Sequence, residues 1–420
     1  MPKPLLLIVA LALVAAACAS SDGDVAASPP TTAAESAPTT SVAPAPPSTL
    51  PPGDDATTGG GSVDEGLTFG VATGWSATAL GSGVKPVVAL DSTDAVSVAW
   101  IFEAIGEGFV AYASAADGWE RQSTVEGYFY GPIDLDFDSA DTPNIVYHDH
   151  QADNFDPGLG DLARVYRDGS GWVTDTASDD GHDGWDSTLT IGADGVVHAA
   201  GVDPAQFGGQ DGIEYYRNAG DGWEVTAIGS GPIPYQYNIG LALDPTGSPA
   251  LTYYNDVDGD LKFASLDGGA WTLQTVVSDG DVGKHSSLAF DSQGRAAVTF
   301  FEQISGSEGN IRFAINDGGA WIVETIGSLG AYSDGNARRN SSLVFDSQGR
   351  AHVVFSDTSG VWYSVRGDSG WETEQIVTAD LPLGQLVSLV LDGSDVPHLA
   401  LYEITNSSPL DGTIAYLTRG

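Results

Sequence analysis

The sequence predicts an all-β domain made of seven repeated sheets, and three observations lead to this prediction. The chain has 54 glycines and 22 prolines but only 17% charged residues, a composition typical of turn-rich β proteins. Residues 285–300 and 340–355 are nearly identical, and five weaker copies share their pattern. A tryptophan recurs at a fixed place in the repeat. Together these features predict a seven-bladed β-propeller.

Each repeat combines an apolar alternating strand, a turn such as Asp-Ser-x-Gly and a second apolar strand. In the first six repeats, a third strand and a glycine-rich turn lead to a tryptophan that opens a fourth strand. Because large aromatic side chains bury much area, we predict that these tryptophans pack between blades. The turns begin at Asp91, Asp138, Gly192, Asp244, Asp291, Asp346 and Asp392. The tryptophans are Trp119, Trp172, Trp223, Trp271, Trp321 and Trp371.

The two ends of the repeat region complement each other. The seventh repeat has a third strand at residues 414–418 and then stops, whereas residues 74–80 supply the missing tryptophan, Trp75. We therefore expect residues 65–420 to form one propeller that closes by pairing N-terminal with C-terminal strands, which leaves no open sheet edge. Residues 67–72 also resemble a third strand, so the sequence leaves open which segment takes that place.

The N-terminus has the layout of an export signal. An apolar run, residues 5–14, follows Lys3, is too short to span a bilayer and ends in small residues before the only cysteine, Cys18. This segment resembles a bacterial lipobox, which implies a lipoprotein signal peptide at residues 1–17 and lipidation of Cys18. The alternative is an ordinary signal peptide that leaves a free thiol.

Residues 18–64 are rich in Ala, Ser, Thr and Pro and predict a disordered tether. Together with the lipobox they predict a propeller displayed on the extracellular face of the cell membrane, attached through the lipid anchor alone. The net charge of -42 repels polyanions, so nucleic acid is not an expected partner. We expect a monomer. The sequence contains no zinc-ligand spacing, phosphate loop or serine-nucleophile elbow.

The turn before the tryptophan carries a family resemblance. Its fullest form, residues 265–271 (Ser-Leu-Asp-Gly-Gly-Ala-Trp), resembles a degenerate Asp-box of the sialidase-like or BNR repeat, Ser-x-Asp-x-Gly-x-Thr-Trp. One position and the Thr are missing, and most copies keep only Gly and Trp. The resemblance covers residues 67–420 as an architecture. It implies a structural turn and no activity, and the catalytic residues of sialidases find no match in this sequence.

An acidic residue recurs at the end of the second strand, eleven positions after the turn begins and twelve in the first repeat. Two interpretations remain open: each carboxylate accepts hydrogen bonds from its own loop, or the carboxylates form a cation or sugar site around the central opening. The positions are Glu103, Asp149, Asp203, Asn255 (followed by Asp256), Glu302, Asp357 and Glu403.

The loops between blades are expected on the same face as these acids. Aromatic rings beside carboxylates and cations suit carbohydrate recognition, although the cations can equally neutralise acidic neighbours such as Glu302 and Asp357. The candidate ligand-binding residues that join the strand-two acids are His148, His182, Trp185, Asp186, Tyr235, Tyr237, Lys284, His285, Arg338 and Arg339.

The segment Asn255–Asp260 alternates oxygen-bearing side chains as a calcium loop does, with Asp256, Asp258 and Asp260 as candidate ligands. It lacks the distal Glu of such loops. Calcium is the only cofactor that the sequence suggests.

No catalytic motif stands out, and the tether suits display. The sequence therefore favours a non-catalytic surface module that binds glycans or protein partners. The alternatives are a carbohydrate-active enzyme, either a glycoside hydrolase or a polysaccharide lyase, and an envelope-assembly scaffold.

Overall fold

The computed structural model describes most of residues 66–420 and two short segments before them. The signal peptide, Cys18 and nearly all of the tether lie outside the described residues. Among the described residues, no helix has the length and apolarity that a membrane span requires. The described residues are 40–42, 62–63, 66–102, 108–127, 129, 131–150, 160–178, 183–203, 212–230, 239–305, 308–330, 341–357, 359–378, 383–404 and 412–420.

The described chain begins with four strands that pair with the outer edges of later sheets: β1 (Thr40–Val42), β2 (Ser62–Val63), β3 (Gly70–Val71) and β4 (Trp75–Ser82). The remaining strands, together with β4, form seven antiparallel sheets, the blades. The strands of blades 1 to 4 are β5 (Val84–Leu90), β6 (Val96–Phe102), β7 (Gly108–Ser114), β8 (Gln122–Gly127), β9 (Asp134–Phe137), β10 (Pro143–His150), β11 (Gly160–Asp168), β12 (Gly171–Thr176), β13 (Trp185–Ile191), β14 (Val197–Asp203), β15 (Gly212–Asn218), β16 (Trp223–Ser230), β17 (Gly240–Leu243), β18 (Pro249–Asn255), β19 (Asp260–Asp267) and β20 (Ala270–Val277). Those of blades 5 to 7 are β21 (Asp281–Phe290), β22 (Ala296–Gln303), β23 (Glu308–Asp317), β24 (Ala320–Gly330), β25 (Ser341–Phe345), β26 (Ala351–Asp357), β27 (Gly360–Gly367), β28 (Gly370–Thr378), β29 (Leu383–Leu391), β30 (Pro397–Ile404) and β31 (Gly412–Arg419).

Blade 7 closes the ring as the sequence predicts. Its strand order is β29, β30, β31 and β4, and the antiparallel register sets Trp75 opposite Arg419. The segment at residues 67–72 does not take the third position, because β3 within it pairs with β28 at the outer edge of blade 6. The third strand of blade 7 is therefore β31. The prediction of a seven-bladed propeller is confirmed.

The first turn of a repeat is held by its aspartate. In blade 5, Asp291 Oδ1 accepts hydrogen bonds from the backbone N–H groups of Gln293 and Arg295, each at 2.9 Å. An Asp side chain that reaches its own backbone in this way stabilises a tight turn. The equivalent aspartates of the other blades do the same, except in blade 3, where Gly192 replaces Asp.

The tryptophans pack between blades, as predicted. The Trp75 ring contacts Tyr363 of blade 6 edge-on, with ring centroids 5.4 Å apart. Phe263 of blade 4 contacts Trp321 of blade 5 at 5.3 Å in the same way. Edge-to-face pairs of this kind add stability beyond the area they bury. Both ring contacts join the third strand of one blade to the fourth strand of the next.

The first strands line a central channel of about 770 Å³. In four blades, the side chain four residues before the turn accepts a backbone N–H from the first strand of the next blade. The Ser287 Oγ accepts the Leu343 N–H at 3.1 Å, and the Ser388 Oγ accepts the Val88 N–H at 3.2 Å. In blade 2 a carboxylate takes this place, because Asp134 Oδ2 accepts the Leu189 N–H at 2.9 Å.

A second channel carboxylate, Asp136, makes the stability of the ring depend on pH. The Asp136 side chain lies largely within the protein and is partly exposed to the channel. Its oxygens accept the N–H groups of Ile191 and Phe137, both at 2.8 Å. Burial outweighs these hydrogen bonds and raises the pKa of Asp136 from 3.8 to about 6. The folded state therefore holds this proton more tightly than the unfolded state. The resulting stabilisation is complete below about pH 4 and is lost as the pH rises through about 6.

We expect Asp136→Asn to remove this pH dependence. Between about pH 4 and pH 7, the wild type should lose on the order of 2 kcal/mol of unfolding free energy relative to the variant. Chemical denaturation of both proteins across this range measures the difference. Parallel stability curves for the two proteins would contradict the raised pKa.

Candidate functional site

The loops between blades and the loops after the second strands meet at one end of the ring, which we call the loop face. Between blades 4 and 5, the Val282 N–H donates to Gly259 O at 2.9 Å. Between blades 2 and 3, His148 Nδ1 lies 2.9 Å from Asp183 O. The opposite end, which carries the first turn of every repeat, is the hairpin face. The candidate residues that the structure describes lie toward the loop face.

Three of the strand-two acids serve the fold. Glu302 Oε2 accepts hydrogen bonds from Asn310 Nδ2 and Arg312 Nη1, both at 2.7 Å. Asp357 Oδ1 accepts the N–H of Ser359 at 2.8 Å and the indole N–H of Trp362 at 3.3 Å. Each carboxylate thus holds its own blade together.

Glu403 also has a structural role, in closing the ring. It is 1% exposed and accepts the Thr68 N–H at 3.0 Å and the Thr68 hydroxyl. The carboxylate therefore ties the segment that contains β3 to blade 7. At Glu302, Asp357 and Glu403, the structure favours the local hydrogen-bonding interpretation over an open ring of acids.

Asp149 of blade 2 differs from these three. It is partly exposed, and within the described part of the chain no hydrogen bond or ion pair reaches its carboxyl group. Burial is the sole cause that raises its pKa. The β10–β11 register places Asp149 directly opposite Asp161, which is 6% exposed. Directly opposed residues of an antiparallel pair project on the same side of the sheet, so the side chains of Asp149 and Asp161 leave the ladder on the same side.

The other side of β10 faces blade 3 and carries a second group of candidates. His148 is 1% exposed, and its ring lies 4.5 Å from that of Trp185 between centroids. Asp183 is 2% exposed, and its Oδ1 accepts the Leu162 N–H at 3.0 Å. Burial raises the pKa of Asp183, and the charges of Asp161 and Asp203 raise it further. Because Trp185 is 4% exposed, its ring offers no surface on which a sugar could stack.

Strained backbone marks the loop-face ends of three first strands. Lys85, Asp186 and His285 occupy equivalent positions six residues before the turn, with φ of 57°, 52° and 54°. Each lies where the register of the first strand shifts in a β-bulge. Left-handed residues other than glycine cost of order 1–3 kcal/mol and cluster at functional sites. The bulges turn these side chains into the protein: Asp186 and His285 are each 1% exposed, and Lys85 Nζ donates to Gly131 O at 3.1 Å.

Lys284 contacts neighbouring residues within the fold. It is 5% exposed, pairs with Asp281 at 2.7 Å and with the Gln303 side chain, and lies 5.2 Å from the Tyr254 ring centroid. These contacts favour the interpretation that this cation neutralises an acidic neighbour, although the partner is Asp281 and not Glu302.

In the candidate calcium segment, Asp260 pairs with Lys262 Nζ at 3.1 Å, and Asp258 lies 3.8 Å from the same nitrogen. Asp256 extends from the same turn. Across the described residues, no group of three His, Cys, Asp or Glu side chains is placed to hold a metal ion.

Several candidates lie outside the described residues, namely Glu103, His182, Tyr235, Tyr237, Arg338 and Arg339. Sequence reasoning missed Lys85, Asp161 and Asp183. Aligning the repeats on the position six residues before the turn would have pointed to Lys85 beside Asp186 and His285. For Asp161 and Asp183 the repeat gives no signal, since neither lies at a position that recurs.

No protein family model matches this chain, and no curated protein matches it. Solved structures of similar shape include a protein of unknown function from Dyadobacter fermentans, with TM-score 0.47 and 11% identity over 82% of this chain and 99% of that one. The α-L-arabinofuranosidase Arb93A of Fusarium graminearum has TM-score 0.48 and 14% identity over 69% of this chain and 92% of its own. The polysaccharide lyase Uly1 has TM-score 0.48 and 10% identity over 85% and 93%. Similarity at this level assigns no activity.

Proposed function

We propose that this propeller is a glycoside hydrolase with Asp149 as its general acid. The observation that carries the proposal is a carboxyl group at the loop face whose pKa is raised by burial and which no described residue pairs. Glycoside hydrolysis needs a carboxylic acid that stays protonated long enough to donate its proton to the leaving oxygen. Burial shifts the pKa of Asp149 in the direction that this role requires, and, unlike Glu302, Asp357 and Glu403, its carboxyl group accepts no hydrogen bond from a described residue.

The second carboxyl group of the proposal belongs to Asp161, opposite Asp149 in the β10–β11 ladder. The Cβ atoms of directly opposed residues lie about 4.5–5.5 Å apart. A retaining hydrolase uses two carboxyl groups about 5 Å apart, one as acid and one as nucleophile. The register therefore makes Asp161 the candidate second carboxyl group. Because the net charge of -42 repels acidic polymers, the expected substrate is a neutral glycan.

A panel of neutral and acidic polysaccharides tests this proposal. We expect new reducing ends from at least one neutral glycan and no ultraviolet absorbance from unsaturated products, which a lyase would form. If no glycan in a broad panel is cleaved, the hydrolase proposal fails.

A non-catalytic binding module is the second candidate. It is favoured by the internal pairing of Glu302, Asp357, Glu403 and Lys284, which leaves few charged groups of this face for chemistry. A glycan array distinguishes the two functions: binding without any release of reducing ends supports the module, whether its partner is a glycan or a surface protein.

We further propose that Cys18 anchors the protein to the outer face of the cell membrane. Attached acyl chains bury many methylene groups in the bilayer, so two or more chains hold a protein there stably. We expect Cys18→Ser to move the protein from the membrane fraction to the soluble fraction, as followed by detergent-phase partition. Ser20→Ala serves as the control and should stay in the membrane fraction. Membrane retention of Cys18→Ser would argue against the anchor.

A further inference from the structure

Three blades share a buried histidine near the hairpin face, six residues after the turn begins. In blade 6, His352 contacts the Tyr363 hydroxyl through Nδ1, and its Nε2 lies 3.0 Å from Asp346 Oδ2. Blades 7 and 3 have the same histidine, His398 and His198, each hydrogen-bonded to a tyrosine of the third strand. The imidazole fills the space between the turn and the third strand.

Blade 4 lacks this pair of histidine and tyrosine. Ala250 stands where the histidine would be, and Phe263 replaces the tyrosine and its hydroxyl. A cleft of about 360 Å³ opens here between blades 4 and 5, and its lining includes Ala250, Phe263, Gln274 and Asp244. Blade 5 also has alanine and phenylalanine, but there the turn aspartate pairs with Arg295 at 2.7 Å. Blade 4 has neither the histidine nor the arginine.

The turn aspartate of blade 4 faces this cleft with one oxygen available. Asp244 Oδ1 accepts the N–H groups of Thr246 at 2.8 Å and Ser248 at 3.0 Å. In the described part of the chain, no side chain donates to Oδ2, the oxygen that meets the histidine in blades 6 and 7. Burial tends to raise the pKa of Asp244, but the hydrogen bonds within its turn lower it overall. The group is therefore a carboxylate at neutral pH.

We propose that this cleft binds a small organic cation that has a flat apolar body and an N–H donor, of the imidazolium class. Such a ligand takes the place of the histidine imidazole of blades 3, 6 and 7 and donates its N–H to Asp244 Oδ2. The ring of Phe290, which is partly exposed, lies in the lining and suits a flat cation. The net charge of -42 concentrates cations at the surface, and the one cation of the lining, Arg295, is paired with Asp291.

The experiment titrates imidazole into the isotope-labelled chain at neutral pH and follows backbone amide shifts by NMR. We expect saturable shifts confined to residues 244–250, 263 and 274. Thiazole, a ring of the same size without an N–H, serves as the matched control and should bind at least about tenfold more weakly.

Two variants complete the test. Ala250→His supplies the missing side chain and should abolish binding while raising the thermal midpoint. Asp244→Asn can keep the hydrogen bonds of its turn but loses the charge, and should weaken binding about tenfold. The proposal is overturned if thiazole binds as well as imidazole, or if a folded Ala250→His or Asp244→Asn variant binds imidazole as the wild type does. The cleft lies on the hairpin face, so the result of this experiment is independent of the hydrolase proposal.

Discussion

Replacing Asp149 by Asn is expected to lower the turnover of a cleaved glycan by about 10²–10⁴-fold, the usual contribution of a general acid. The amide has nearly the shape of the carboxyl group but no acidic proton. Because no described residue forms a hydrogen bond or ion pair with the Asp149 carboxyl group, the exchange breaks no such bond among the described residues, and the thermal midpoint should stay within a few degrees of the wild-type value. Reducing-end assays and thermal unfolding of both proteins measure the two effects.

The pH profile supplies an independent readout of the same residue. Burial raises the pKa of Asp149, so the proton needed for catalysis is lost only above the ordinary range of an aspartate. Activity should fall as the pH rises through that raised pKa, and this alkaline limb should be missing from the residual activity of Asp149→Asn.

Asp357→Asn is the matched control, because Asp357 occupies the same repeat position in blade 6 but serves its own loop. Its turnover should be close to that of the wild type. Equal losses in the two variants would mean that the effect comes from structure and not from proton donation, and the role assigned to Asp149 would then be withdrawn.

The largest loss of stability is expected from Trp75→Ala. Trp75 is 2% exposed, lies in the strand that completes blade 7, and packs on Tyr363 of blade 6. Removing a buried tryptophan leaves a cavity that costs about 3–5 kcal/mol. Here the cavity lies at the junction that closes the ring, so the midpoint of chemical denaturation should drop accordingly.

Trp75→Phe is the companion variant. It keeps an aromatic ring beside Tyr363, so its loss of unfolding free energy should be much smaller. A loss below about 1 kcal/mol for Trp75→Ala would show that the N-terminal strand contributes little to closure. Tryptophan fluorescence is a poor probe for this comparison because the change removes a fluorophore, so circular dichroism is preferable.

The repeat made the fold predictable. A turn aspartate and a tryptophan that recur in register report local hydrogen bonding and packing, and both can be read from one chain. The assignment of the third strand in blade 7 could not be read, because residues 67–72 and 414–418 have the same apolar alternation. Only pairing between distant segments, β3 with β28 and β4 with β31, distinguishes them.

The candidate site was less predictable, for a physical reason. The strand-two position marks which residues are acidic, but the residue that pairs with each acid differs from blade to blade. Glu403 meets Thr68, and Glu302 meets Arg312, whereas Asp149 has no such partner among the described residues. A recurring residue type therefore carried different roles in different blades, and spacing alone could not separate them.

The contact between Thr68 and Glu403 also has a mechanical consequence. Thr68 precedes both β3 and β4 in the chain, so a pulling force applied from the N-terminal side reaches the Glu403 carboxylate before it reaches the seven residue pairs of β4 with β31. Two short pairings precede Thr68 in the chain, β1 with β24 and β2 with β4, so the force meets them first and the Glu403 contact next. The pairing of β4 with β31 takes up the force after these contacts, so a pull from the N-terminal side should detach the short contacts before it opens the ring.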